Sequence, residues 1–370
     1  MKVQLPRNID IIKSAELEDY FVFYAFNRSD HLFLYVTDKS LNLLKEIEVN
    51  EQGYFSSDFH ICENNELLFS TTITATTFEN KLPETNAYYQ YFETKWYKLK
   101  IAAKEIFQKK PIVELKEYEF WKKSEIKNIK SKKYDDKIYW ISDVQNVRIV
   151  NGRYKKSWSF QIAVTNTIDE LPRFKRMDIR YSGVKSIDFY VENEIYYVAA
   201  ICNISWDTPI VFRYDINTEQ IQKEELNIKI RKLHHLHEAK LVPVNDKLIS
   251  YFNSTSHEYS KKYEFRIYKS NTPKLFNENS EISFLNELDY IRNVKWHEHK
   301  GKIFSSYAAQ KESKVIRITN VLPNDEKLIE EIEDISTIMI TKSNELIFSC
   351  VKGEPLKKTY LVKQAMKNYD

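Results

Sequence analysis

Asn193-Glu-Ile-Tyr-Tyr-Val198 is the stretch whose reading decides the fold. Asn tolerates the left-handed backbone of a tight hairpin, and an apolar strand follows it at once. The same phrase occurs as Asn65-Glu-Leu-Leu-Phe-Ser70 and Asp136-Lys-Ile-Tyr-Trp-Ile141. It returns as Asp246-Lys-Leu-Ile-Ser-Tyr251, Gly301-Lys-Ile-Phe-Ser-Ser306 and Asn344-Glu-Leu-Ile-Phe-Ser349. Glu18-Asp-Tyr-Phe-Val-Phe23 is a looser copy, which makes seven. Self-similarity of this kind marks a repeat architecture.

Working outward, each copy is preceded by another short strand, such as Ser186-Ile-Asp-Phe-Tyr190, and followed by an alternating one, such as Val211-Phe-Arg-Tyr-Asp-Ile216. A more polar strand closes the unit, as in Ile221-Gln-Lys-Glu-Glu-Leu226. Charge on that last strand fits an outer edge, which must resist pairing with other chains. Four antiparallel strands per unit form a propeller blade. The expected fold is therefore all-β: one seven-bladed β-propeller domain over residues 1–370. The blades fall near 8–50, 57–118, 127–180, 185–229, 238–286, 293–335, and 336–365 with 2–6. In that last blade the N-terminal strand Lys2-Val-Gln-Leu5 is expected to complete the unit ending at Lys358-Thr-Tyr-Leu-Val-Lys363.

In these features the chain resembles the broad seven-bladed β-propeller superfamily. The Gly-His and Trp-Asp signature of WD40 repeats is missing, as are the paired glycines of kelch repeats. The resemblance implies a fold and carries no functional residue with it.

Composition narrows the function. Hydrophobic residues make up 42% and charged residues 29%, a globular balance. The 25 Tyr and 21 Phe favour pleated surfaces. With only 5 Gly, the chain holds neither GxGxxG nor GxxxxGK[ST], so phosphate cradles of those designs are excluded. GxSxG is missing too, which disfavours a serine hydrolase of that design. The start lacks the apolar core of a signal peptide, and no apolar run approaches the roughly 20 residues of a membrane span. Cys62, Cys202 and Cys350 are far apart and odd in number, reading as reduced, buried thiols of a cytoplasmic protein.

Propeller topology sorts loops onto two faces, and length is expected to gather in second-to-third strand loops near 75–91, 143–156, 203–208 and 253–261. The partner-binding residues expected there are Tyr89, Tyr91, Arg148, Arg153, Trp206 and His257, because rings and guanidinium groups dominate interface energetics. His234, His235 and His237 are placed in a connection between blades, and their spacing matches no strong metal motif. No metal, cofactor or catalytic residue is assigned. The stretch from Lys95 to Lys137 holds 14 lysines and 7 acids, and a basic sector over 95–180 suits nucleic acid or another polyanion. The leading expectation is a non-enzymatic module gripping a protein partner, with no membrane partner. Its alternatives are polyanion binding through 95–180, and an enzyme, hydrolase or lyase, with its site at the channel mouth.

Overall fold

A computed structural model describes residues 2–6, 9–27, 31–49, 55–77, 89–102, 112–124, 126–150, 153–167, 169–170, 172–203, 207–225, 234–244, 247–256, 265–272, 281–283, 291–299, 302–309, 312–318, 327–333, 335–352 and 358–365. Among them the structure is all-β, with no helix. No helix is long and apolar enough to cross a membrane.

The strands gather into four-stranded antiparallel sheets in chain order. After β1 (Lys2–Gln4) comes a sheet of β2 (Ile9–Glu16), β3 (Tyr20–Asn27), β4 (Leu32–Asp38) and β5 (Leu43–Val49). The next holds β6 (Phe55–Glu63), β7 (Glu66–Thr77), β8 (Tyr89–Ala102) and β9 (Ile112–Ser124). A third holds β10 (Ile126–Tyr134), β11 (Lys137–Val150), β12 (Arg153–Thr165) and β13 (Lys175–Tyr181). Then follow β14 (Gly183–Glu192), β15 (Ile195–Asn203), β16 (Asp207–Asp215) and β17 (Ile221–Glu225). The fifth comprises β18 (His234–Val244), β19 (Lys247–Ser256), β20 (Phe265–Thr272) and β21 (Glu281–Ser283). The sixth comprises β22 (Ile291–His299), β23 (Lys302–Ala309), β24 (Glu312–Ile318) and β25 (Lys327–Glu333). The last is β26 (Ile335–Ile340), β27 (Glu345–Lys352) and β28 (Lys358–Ala365), with β1 beside β28.

The turn residues behave as their chemistry requires. Asn64, Asp135, Asn193 and Asn344 have φ of 51°, 51°, 50° and 61°, left-handed values that Asn and Asp accept at low cost. Glu194 follows Asn193 at φ 60°, so both central residues of that two-residue hairpin are left-handed. Such a turn fixes the register behind it: Glu192 faces Ile195 and the pairing runs back to Gly183 opposite Asn203. One irregularity recurs. The first strand of the sheet carries a bulge where it pairs with the second, between Ile11 and Lys13, Phe59 and Ile61, Val184 and Ser186, and Leu236 and Glu238. The same holds between Arg292 and Lys295 and between Ile335 and Thr337. A bulge bends its strand and strengthens the local twist.

The chain divides into two compact units, one of residues 1–140, 164–173 and 335–366, the other of 141–163, 174–334 and 367–370. Within the first, one core joins Tyr24, Leu34 and Val36 to Phe69, Tyr97 and Leu99. A second core joins Phe21, Phe23, Phe33 and Tyr35 to Leu5, Ile347 and Leu361. Strand β4 is buried on both faces along Leu32–Thr37, which is why it reads as a continuous apolar run. In the second unit Ala199, Ile201 and Val211 pack on Leu236, Leu241 and Phe252. Cys202 and Cys350 are buried as expected, whereas Cys62 is exposed. Its strand, β6, turns that position outward between buried Ile61 and the hairpin at Asn64.

The β26–β27 turn offers a test. Asn344 donates its backbone N–H to the Thr341 carbonyl at 3.0 Å, and Glu345 donates to Thr341 Oγ1 at 3.0 Å. Asn344→Val should lower unfolding stability by about 1–2 kcal/mol because a β-branched residue resists this φ, while Asn344→Gly stays near wild type. Urea denaturation read by fluorescence checks both.

Candidate functional site

The structure redistributes the residues singled out from sequence. Tyr89 and Tyr91 do not sit in a loop: they begin β8, paired with Thr77 and Ala75 of β7. Arg148 lies on β11 and Arg153 opens β12, so the expected loop over 143–156 is strand on both sides of Asn151-Gly152. Trp206 and His257 lie outside the described residues. His234, His235 and His237 belong to strand β18 rather than to a connection. Among the described residues no group of three or more His, Cys, Asp or Glu side chains could hold a metal ion.

The described polar interior contains a cluster that sequence reading missed. His60, the bulged residue of β6, is buried and lies 2.7 Å from Ser70 Oγ through Nε2. Its ring stacks on Trp96 at 4.8 Å and meets Trp140 at 5.7 Å. Trp140 is fully buried and donates Nε1–H to Thr165 Oγ1 at 3.0 Å. These side chains are enclosed by their own strands, so the cluster packs and orients the sheets. The available sequence signal was an aromatic-flanked histidine immediately before a hairpin phrase. In the second unit, Gln161 donates to Ser142 Oγ at 2.8 Å, and the buried Asp188 carboxylate accepts the Leu241 N–H at 2.8 Å. A carboxylate bonded to backbone in this way is a strut between neighbouring first strands.

Charge in the basic sector is locally answered. Lys98 reaches both Glu66 and Asp169 at 2.8 Å, and Lys100 reaches Glu66 at 3.2 Å. Lys133 pairs with Glu63, and Lys175 with Glu219. Burial works to raise the Glu66 pKa, but the bonds from Lys98 and Lys100 prevail and hold it below the ordinary value. Burial likewise works to lower the Lys98 pKa, and its two carboxylates hold it above the ordinary value. Because the folded-state pKa of Glu66 is depressed, its contribution is fully present above the unfolded-state value of about 4.3 and fades as pH falls through the lower folded value. Glu66→Gln should therefore cost about 1 kcal/mol at neutral pH, and the gap from wild type should close as acid is added. Urea unfolding across that pH range measures it.

No family model matches the chain, and no curated protein matches it. Solved structures do. The chain is similar to the polysaccharide lyase Uly1, with TM-score 0.51 and 9% identity over 95% of this chain and 88% of that one. It is also similar to a mutant of Synechocystis apocarotenoid oxygenase, at TM-score 0.46 and 10% identity over 84% of this chain and 69% of the other. A Trypanosoma rangeli sialidase gives TM-score 0.44 and 9% identity over 88% and 54%. At these identities the likeness concerns fold alone. The first of these is by its name a lyase, and that finding corrects the expectation of a non-enzymatic protein-binding module. Rings and arginines, the signal behind that expectation, serve strands as readily as interfaces: Tyr89, Tyr91, Arg148 and Arg153 are all strand residues here.

Proposed function

We propose that this chain is a single-domain, seven-bladed β-propeller enzyme that cleaves a polysaccharide, by elimination or hydrolysis, at the mouth of the propeller's channel. The observation that carries the reading is the shared fold with a polysaccharide lyase at near full-length cover of both chains. Supporting the propeller are the repeated four-stranded antiparallel sheets and the pairing of β1 with β28, which supplies the last sheet with its fourth strand.

Elimination is the form that the lyase of like fold suggests. Breaking a glycosidic bond in this way removes the proton beside a uronate carboxyl, so it needs a base, a cation to neutralise that carboxyl, and an acid for the leaving oxygen. Tyr, His, Lys and Arg supply all three roles, and the chain has 25 Tyr, 8 His and 56 Lys plus Arg. Hydrolysis would instead call on two carboxyl groups held about 5–10 Å apart. The substrate of elimination is an acidic polysaccharide.

The purified chain should be incubated with a panel of linear polyuronates and neutral glycans. Elimination shows as ultraviolet absorbance from the unsaturated product, and hydrolysis as new reducing ends without it. Product from an acidic glycan supports the reading. Absence of both signals across the panel, from chain with a cooperative melting transition, overturns it.

A further inference from the structure

Two neighbouring first strands of the second unit are laced side by side. Ser186 Oγ of β14 accepts the Ala239 N–H of β18 at 3.1 Å, and Asp188 Oδ2 accepts the Leu241 N–H at 2.8 Å. These bonds advance by two residues on both strands, so β14 and β18 run in the same direction and open at the same end. Each carries its bulge beside the lacing. In β14 the extra residue is Lys185, between Val184 opposite Cys202 and Ser186 opposite Ile201. In β18 it is His237, between Leu236 opposite Ser254 and Glu238 opposite Asn253. A bulge re-aims the residue it adds, and bulges gather next to active sites.

The Lys185 side chain is held in place from behind. Its Nζ bonds Asp207 Oδ2 at 2.5 Å, and the same oxygen accepts the Leu236 N–H of β18 at 3.2 Å. The two partners are unequally placed: the lysine side chain is 36% exposed and the aspartate 8%. The carboxylate therefore lies inside, answered by an ammonium and an amide, and the cation faces solvent. An ammonium has three donors, of which Asp207 takes one among the described residues.

We propose that Lys185 is the cation that meets a sugar carboxylate of an acidic polysaccharide at the channel mouth. The proposal rests on the polysaccharide-cleaving reading, in which first strands surround the channel and their openings stand at its mouth. When the proton beside that carboxylate is removed, negative charge spreads onto its oxygens. The electron pair then forms a carbon–carbon double bond as the glycosidic C–O bond breaks, and the leaving oxygen takes up a proton. A cation already fixed at those oxygens stabilises them most while that charge develops.

Affinity electrophoresis at low salt through gels cast with alginate, polygalacturonate or hyaluronan tests the contact. Wild type should be retarded by at least one of these polymers. Lys185→Gln should weaken that binding by roughly three- to tenfold, as fits a part-exposed charged hydrogen bond. Lys185→Arg should keep most of it, and Lys45→Gln on β5 should change nothing. Lys185→Gln combined with Asp207→Asn leaves no carboxylate unpaired, so it reads the same loss should the single change disturb the fold. Equal retardation of wild type and the Gln variants overturns the proposal, as does no retardation by any polymer. Lys185-dependent binding to duplex DNA with none to polyuronates also overturns it. In the cleavage assay Lys185→Gln should lower kcat as well as raise KM, whereas loss of a merely attractive charge raises KM alone. Product with Lys185-independent binding sinks the proposal and spares the activity. Lys185-dependent binding of a polyuronate without product does the reverse.

Discussion

Two hydrogen bonds of one hydroxyl tie the ends of the chain together. Thr359 is fully buried, donates Oγ1–H to the Ile9 carbonyl at 2.8 Å, and accepts the Ile9 N–H at 3.0 Å. Beside it the Leu5 N–H reaches the Thr359 carbonyl at 2.9 Å, continuing the ladder in which Lys2, Val3 and Gln4 face Val362, Leu361 and Tyr360. Bringing residues some 350 apart together costs about 5 kcal/mol in loop-closure entropy. Burying Leu5, Ile9 and Leu361 returns roughly 5–9 kcal/mol, which offsets it before hydrogen bonds are counted. Apolar burial therefore wins, and the threonine fixes where it happens.

From that junction the packing passes sheet to sheet within the first unit. Leu5, Ile9 and Leu361 lie in one core with Phe21, Phe23 and Phe33, while Tyr24, Leu34 and Val36 on alternate positions serve the next core with Phe69 and Tyr97. A strand so used is apolar on both faces, and each sheet depends on a neighbour to cover it. Charged groups frame the same junction. Lys39 bonds Glu16 Oε1 at 2.9 Å, and Lys363 bonds Glu345 Oε2 at 2.7 Å, with Phe21 beneath both ammonium groups.

Strand order was legible in the chain because it rests on local chemistry. Asn193, Asn344 and their counterparts announce hairpins through backbone preference alone, and Lys2–Leu5 could be recognised as a spare strand. Loop extent was not legible. The stretch 143–156 looks polar and loop-like, yet Arg148 and Arg153 lie in strands, because hydrogen bonding to a neighbouring strand overrides a polar composition. The bulges were not read, since an extra residue such as His60 or Lys185 only shifts the phase of an alternation that short strands barely establish. The burial of His60 between Trp96 and Trp140 depends on partners distant in sequence. For the rings and arginines, composition names the residue types that contact ligands but not the surfaces they reach. Fold, in turn, narrows function without assigning it.

The last sheet stands on β1 pairing with β28, and amide hydrogen exchange reads this most directly. Leu5 and Ile9 donate only into Thr359 in the bonds described above. Their amides should exchange at the slow rate set by global unfolding, together with those of β27 and β28. Exchange of Leu5 and Ile9 near the free-chain rate, with β27 and β28 still protected, would contradict the account.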